Sequence, residues 1–300
     1  MNIDNTTKEK LVLGTAGLAG IWGPVNLSES IKVLHRSWEY GIYYTDTAPA
    51  YAAAETLVSK ALKSWKGAPP IVSTKVGKRQ ADHPDALAFD YSPAYIHESI
   101  DNSRKLFNMD CLDIVFLHDP GCMPLEDIKV AIDTMLELKQ RGCIRALGIG
   151  GNYGAAFRGM ATSGVFDYFM GYNRYNLIRQ SAAHEEFIDL DKAAVKIWQA
   201  SPLYMGLLGS KFDSYQKLEP SWIPADDLAV AKRWRKHCEE RQLSLTGLAL
   251  NYVHLSSFVN CMVLGASTMA EWEDSIHWLE APAERIEALK LLGENNPFKA

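Results

Sequence analysis

The chain has 300 residues, 47% hydrophobic and 22% charged, ordinary globular values that leave ample apolar surface for a core in either one large α/β barrel or two medium domains. A formal net charge of −5 leaves no basic face for nucleic acid and no polybasic membrane patch, and the longest apolar runs fall short of the roughly 20 residues of a membrane span. The start MNIDNTTKEK lacks the apolar stretch of a secretory signal, and five cysteines without a C-x-x-C pair (Cys111, Cys122, Cys143, Cys238, Cys261) read as buried free thiols of a cytoplasmic protein.

The first strand candidate, LVLGT (11–15), runs into LGTAGLAG (13–20), whose glycines invite a dinucleotide-binding reading. Their spacing is G-x-x-G-x-x-G rather than G-x-G-x-x-G, and IWGPV follows instead of a helix able to aim its N-terminus at a pyrophosphate. A flexible loop at a strand end is the better reading. SESIKVLHRSWEY (28–40) then carries Ile31, Leu34 and Trp38 at helical spacing. Strand IYYTD (42–46) ends on Asp46, with Tyr51 in the loop behind it, and IVSTKV (71–76) carries Lys75 near its end. Ser92 before PAYIHESIDNSRKLF (93–107) supplies an N-cap with proline at the first helical position. Strand LDIVFLH (112–118) ends on His118. PLEDIKVAIDTMLELKQRG (124–142) is a helix with acids in its first turn, bases in its last and a glycine stop. IRALGIG (144–150), FDYFMG (166–171), VKIWQA (195–200) and CMVLG (261–265) complete eight strands, and ADDLAVAKRWRKHCEERQ (225–242) is a further helix.

Strands that are near-continuously apolar and alternate with helices imply a parallel sheet covered by helices. No low-complexity or Pro/Gly/Ser-rich linker marks a boundary. Eight units in a chain of this length fit a closed (β/α)8 TIM barrel, a single domain over 1–300, better than an open sheet. A barrel places its chemistry where strands end and loops begin.

Asp46, Tyr51, Lys75 and His118 all belong to that rim. Each alone has an ordinary explanation: an aspartate capping a turn, a tyrosine packing on a loop, a histidine satisfied in the wall. Lys75 is the exception, because an ammonium inside a strand is costly unless paired, and the nearest acid is Asp46 on the neighbouring strand. A tyrosine serving as general acid–base near pH 7 requires a shift of roughly 3 pH units from its ordinary pKa, about 4 kcal/mol. One ammonium about 4 Å away at an effective dielectric of about 20 is worth about that much. The expectation is therefore that Lys75 lowers the Tyr51 pKa, Asp46 holds Lys75, and His118 positions a substrate oxygen. Such a set protonates an oxygen as hydride adds to a carbonyl, or deprotonates an alcohol in reverse. No G-x-S-x-G occurs, and a glycosidase pair built from Asp46 and Asp119 would leave Lys75 unexplained.

GIYYTDTAPAY, VSTKVG, LDIVFLHDP and ASPLYMGLL, in this order from about Leu11 to about Leu279, resemble the aldo-keto reductase superfamily. The DTAPAY, LHDP and GIGGN details resemble its branch that oxidises aldoses at C1 (L-fucose, D-arabinose, D-threo-aldose) or pyridoxal at its 4-position. The resemblance implies Tyr51 as acid–base, Lys75 and Asp46 tuning it, and His118 orienting the carbonyl. It also implies a nicotinamide cofactor bound across the rim: Asn152 in GIGGN (148–152) at the carboxamide, Ser201, Leu203 and Gly206 at the pyrophosphate, and Gly265, Ser267, Glu271 and Ser275 at the adenosine ribose. Ala200 stands where many members place a ring-stacking tyrosine. Behind Tyr51, AAAET replaces the glycine-containing turn of many members, which implies an earlier helix start.

A 2′-phosphate calls for an arginine or lysine beside it. From Cys261 to Ile276 there is neither, while Glu271, Glu273 and Asp274 are acidic. This favours NAD over NADP, with Lys211 the nearest base that would reverse the preference. Trp22, the loop around Tyr91 and YNRYN (172–176) are the candidates for lining a sugar pocket, with Tyr51 and His118 at its base. The expectation is an NAD(P)-dependent dehydrogenase of a small polar substrate, an aldose such as an L-fucose- or D-arabinose-like sugar. The alternatives are an NADPH-dependent aldehyde or ketone reductase and, from another class, a non-catalytic cofactor-binding regulatory subunit. Assembly is expected to be a monomer or small homo-oligomer without membrane or nucleic-acid partners.

Overall fold

A computed structural model describes residues 8–79 and 89–293. Eight parallel strands close on themselves in chain order: β1 (Leu11–Gly14), β2 (Tyr44–Asp46), β3 (Ile71–Val76), β4 (Leu112–His118), β5 (Ile144–Gly150), β6 (Tyr168–Tyr172), β7 (Lys196–Ala200) and β8 (Cys261–Gly265), with β8 pairing back onto β1. Four of the eight, β3, β4, β5 and β8, have the bounds read from the sequence. β2 starts two residues later than its apolar run because Gly41 ends the preceding helix with φ 104° and Ile42 N–H still bonds back to the Ser37 carbonyl. Ladder pairing begins only at Tyr44, opposite Ile71.

The helices follow local chemistry. Helix α1 (Leu27–Tyr40) opens on Asn26, whose side chain accepts from the Ser28 and Glu29 N–H groups, and buries Val33, Leu34 and Trp38. Helix α2 (Ala54–Ser64) opens on Ala53 with no side-chain cap. Helix α3 (Pro93–Phe107) starts as expected, with Ser92 accepting from the Tyr95 N–H. Helices α4 (Leu125–Gln140), α5 (Arg158–Ala161) and α6 (Ile188–Lys192) follow β4, β5 and β6. Three helices, α7 (Phe212–Leu218), α8 (Ala225–Glu240) and α9 (Leu245–His254), separate β7 from β8, and α10 (Met269–Glu280) and α11 (Pro282–Gly293) follow β8. The sequence reading found only α8 among these five, since α9 is apolar nearly all round and buried and shows no one-sided stripe. No helix among the described residues is long and apolar enough to cross a membrane.

Apolar side chains form two regions. The larger fills the space between strands and helices; the smaller fills the barrel with Val12, Ile114, Phe116, Met170, Trp198, Cys261 and Val263. Trp198 is the centre of this inner plug, with the Tyr44, Phe116 and Tyr168 rings 5.3, 5.6 and 5.4 Å away. It closes the barrel from below, so polar groups at the upper rim are cut off from water on that side. The cysteines are all free, but only Cys143, Cys238 and Cys261 are buried; Cys122 is exposed and Cys111 partly so, because both lie in loop ends beside β4 rather than in the core.

Candidate active site

Strand alternation puts every second side chain of a barrel strand inside. Asp46, Ser73, Lys75 and His118 all occupy inward positions at the C-terminal ends of β2, β3 and β4, in register Asp46 opposite Ser73 and Lys75 opposite Phe116. Lys75, 2% exposed, donates to Asp46 Oδ1 at 2.7 Å, to Asp46 Oδ2 at 2.6 Å and to the Thr47 carbonyl at 3.0 Å. Its three protons thus have three acceptors, which is what a buried ammonium requires. Ser73 donates to Asp46 Oδ1 at 2.8 Å. The sequence reading missed Ser73, although it precedes Lys75 by two and so shares its face.

Tyr51 completes the set from the β2–α2 loop. The Lys75 ammonium lies 4.6 Å from the centre of its ring, and the His118 ring meets it edge-on at 5.6 Å. All four expected residues are therefore brought together. Their electrostatics differ from the expectation in one respect: the Tyr51 pKa is raised, not lowered. Burial pushes it up; Lys75 acts against this, but Asp46 pushes the other way. The physical reason is burial, which outweighs the lowering by Lys75, part of whose charge Asp46 offsets. Lys75 itself is pulled down by burial and pushed up further by Asp46 and Tyr51, so it stays charged. Burial, with the Lys75 and Lys78 charges, holds His118 well below its ordinary 6.5, leaving a neutral imidazole. At rest the site is a protonated phenol beside a neutral imidazole. That pair can hydrogen-bond a carbonyl oxygen and give it a proton.

A second layer fixes these groups. The Tyr91 hydroxyl donates to the His118 carbonyl. Lys78 pairs with Asp119 at 2.6 Å, and Asp119 Oδ2 lies 3.8 Å from His118 Nε2. Glu55, in the first turn of α2, accepts from Thr74 of β3 at 2.7 Å and Ser103 of α3 at 2.8 Å. The turn after Tyr51 is not displaced by an earlier helix start: α2 begins at Ala54, and Ala52 itself takes the left-handed conformation, φ 48°. The glycines of GIGGN have a packing role that the sequence did not disclose. A Cβ on Gly150 would lie 3.0 Å from the Phe116 Cβ and 3.5 Å from the Lys75 stem, and one on Gly151 would meet Asp119 Oδ1 at 2.5 Å.

The other half of the rim is built from small residues. Gly150, Ala200, Gly265 and Gly14 take the inward positions at the ends of β5, β7, β8 and β1, and a Cβ on Gly265 would touch nothing within 4 Å. This leaves a cradle beside the tetrad. Asn152 lies at one end, its amide bonded to the Tyr172 backbone at 3.0 and 3.3 Å. Ser201, Leu203 and Gly206 lie in the loop after β7, with Ser201 at φ 56° and Gly206 at φ 93°. At the far end Glu271 accepts from the Ser267 N–H at 2.8 Å, while Ser275 turns its hydroxyl to the Glu271 carbonyl. Gly17 lets the β1–α1 loop lie on Ala266 and Ser267 with the Trp22 ring beside it, which puts Trp22 at this end of the rim. The glycine-rich stretch is a loop of turns, as read.

The aldo/keto reductase family profile matches residues 10–292. The chain belongs to the aldo/keto reductase family. Among curated proteins it is 27% identical to L-galactose dehydrogenase of Arabidopsis thaliana, over 88% of this chain and 82% of that one. It is 24% identical to pyridoxal 4-dehydrogenase of Microbacterium luteolum, over 91% and 90%. Among solved structures, a Bacillus halodurans aldo-keto reductase in its holo form superposes with a TM-score of 0.71 at 25% identity, covering 94% of this chain and 91% of that one. The Gluconobacter oxydans glycerol dehydrogenase shares the fold with a TM-score of 0.72 at 22% identity, covering 97% and 93%. The protein is thus an NAD(P)-dependent oxidoreductase on a (β/α)8 barrel, and the cradle of small rim residues beside Tyr51 fits a nicotinamide cofactor.

Proposed function

We propose that this aldo/keto reductase oxidises a small sugar at C1, with Tyr51 exchanging the proton of the reacting oxygen. The observation that carries the proposal is the convergence of Tyr51, the Lys75–Asp46 pair and neutral His118 on one water-poor rim. When bound, the nicotinamide takes up or supplies the hydride. His118 holds the substrate oxygen, and Tyr51 accepts its proton in oxidation or donates it in reduction. Lys75 keeps its charge through the cycle and stabilises the phenolate as it forms, while Asp46 and Ser73 keep Lys75 in place.

Two observations support a sugar. Beside the tetrad the rim carries an exposed aromatic face, Tyr172 at 41% exposure, which suits the apolar face of a polyol, whereas Trp22, expected to line the sugar pocket, lies with Ser267 at the ribose end. Relatives over most of the chain are named for L-galactose, D-threo-aldose and D-arabinose. For the cofactor the proposal is NAD. Asn152 would hold the carboxamide, Ser201, Leu203 and Gly206 the pyrophosphate, and Gly265, Ser267, Glu271 and Ser275 the ribose end. The acidic 271–274 segment disfavours a 2′-phosphate. The second reading, an NADPH-dependent aldehyde reductase, draws on the raised Tyr51 pKa, since a phenol that rests protonated is ready to donate.

The test is nicotinamide absorbance with purified protein. NAD+ and NADP+ are each run against L-galactose, L-fucose, D-arabinose and pyridoxal, and NADH and NADPH against simple aldehydes. Reduction of NAD+ by an aldose is the expected result. Turnover restricted to NADPH and aldehydes replaces the first reading by the second, and cofactor binding with no turnover across the panel replaces both by a non-catalytic role.

A further inference from the structure

Asp119 has no part in the proton chemistry just described, yet the chain goes to some length to hold it at the site. It directly follows His118, is only 8% exposed, and adopts the left-handed conformation, φ 50° and ψ 50°. For a residue other than glycine that costs on the order of 1 kcal/mol. Its position is fixed on three sides. Its N–H bonds to the Gly150 carbonyl at 2.7 Å, Lys78 pairs with its Oδ2 at 2.6 Å, and Gly151, at φ 143°, leaves the room its Oδ1 needs. Oδ2 also lies 3.8 Å from His118 Nε2. Oδ1 accepts no hydrogen bond from the described residues.

A carboxylate beside an oxygen that gains negative charge opposes that gain. Lys78 cancels most of the opposition, so the pair is tolerated without helping the proton transfer. What an ionised carboxylate does offer is acceptance: it takes hydrogen bonds and gives none. The geometry points to Asp119 as a specificity residue that accepts the hydroxyl vicinal to the reacting carbon, selecting α-hydroxy aldehydes and aldoses over plain aldehydes. The spacing suits this. A vicinal pair of oxygens is a hydrogen bond's length apart, so one oxygen can sit on the His118 imidazole while its neighbour reaches the Asp119 carboxylate. A substrate lacking that hydroxyl leaves a nearly buried carboxylate without its second partner, and such a deficit discriminates strongly. The inference rests on the oxidoreductase reading of the site and names the substrate class within it.

The experiment compares kcat/KM for glyceraldehyde and propanal, with NADH and with NADPH, in the wild type, Asp119→Asn and Asp119→Gly. Both replacements suit the left-handed backbone; the first loses the charge, the second the acceptor altogether. The expected result is a wild-type preference for glyceraldehyde over propanal, read as the ratio of the two kcat/KM values, that falls about 10- to 100-fold in Asp119→Gly. An unchanged preference in Asp119→Gly overturns the inference, as does an equal loss for both aldehydes, which marks a purely structural residue. A wild type active on both aldehydes without preference overturns it while leaving the oxidoreductase reading standing. A wild type that turns over neither removes the reading and the inference together.

Discussion

Lys75 gives Asp46 two hydrogen bonds, one to each carboxylate oxygen, at 2.7 and 2.6 Å, and this pairing weakens the pull of Lys75 on the buried Tyr51 phenol. Burial outweighs that pull, so the Tyr51 pKa stands above its ordinary value of 10.0. Below that raised value Tyr51 is protonated. Reduction, which uses the acid form, is therefore expected to be flat through neutral pH, while oxidation, which uses the base form, rises about tenfold per pH unit well past pH 9. Rates in both directions across pH 6 to 10 check this, and an oxidation rate that levels off near pH 7 contradicts the raised value. Tyr51→Phe removes most turnover in both directions while leaving cofactor affinity within a few-fold.

Removing one partner of the pair strands the other. Asp46→Asn leaves a buried ammonium without its counter-charge and is expected to cost about 3–5 kcal/mol. Ser73→Ala removes one hydrogen bond to the same carboxylate and is expected to cost about 1–3 kcal/mol. Urea unfolding of both variants measures the order, and a Ser73→Ala loss as large as that of Asp46→Asn would show that the hydroxyl, not the ion pair, holds the site.

His118 makes the fold acid-sensitive. Its folded pKa lies well below 6.5, so the unfolded chain takes up a proton below about pH 6.5 that the folded chain refuses. Stability from this group is complete above that pH and falls as pH drops toward the folded value, by at most about 1.4 kcal/mol per unit. His118→Gln is expected to flatten the change in urea midpoint between pH 7 and pH 5. An unaltered slope assigns the acid sensitivity to other groups.

Glu55 ties the helix behind Tyr51 to two neighbours through Thr74 and Ser103, and Ala53 provides no side-chain cap at the start of α2. Glu55→Ala is expected to lose about 1–3 kcal/mol of stability and to lower kcat several-fold as Tyr51 shifts from Lys75. Glu55→Gln keeps an acceptor and restores most of both. Equal defects in the two variants would mean that the charge matters and the hydrogen bonds do not.

The strands and the meeting of Asp46, Tyr51, Lys75 and His118 at one rim were legible because each rests on a short-range signal. Apolar runs mark buried parallel strands, and an ammonium inside one of them demands an acid nearby. What stayed hidden depends on distances between segments far apart in the chain. Ser73 and Lys75 share a face, but only the register of β2 against β3 shows that Ser73 reaches Asp46. Nothing in GIGGN indicates that its glycines make room for Phe116, Lys75 and Asp119. The sign of the Tyr51 shift was misjudged for the same reason: its direction follows from the balance of burial, Lys75 and Asp46, and sequence gives their presence without their geometry.

Ala52 offers the most direct test of the loop that carries Tyr51. It holds φ 48°, where a Cβ crowds the backbone and glycine does not. Ala52→Gly relieves that strain but returns backbone freedom to the unfolded chain, so the two effects oppose. For an unbranched residue in the left-handed region the strain is the larger, and the substitution is expected to stabilise by up to about 1 kcal/mol. If the alanine also serves to keep Tyr51 rigid over Lys75, Ala52→Gly raises the melting temperature while lowering kcat with KM unchanged. A fall in melting temperature would instead show that Ala52 makes packing contacts worth more than its strain.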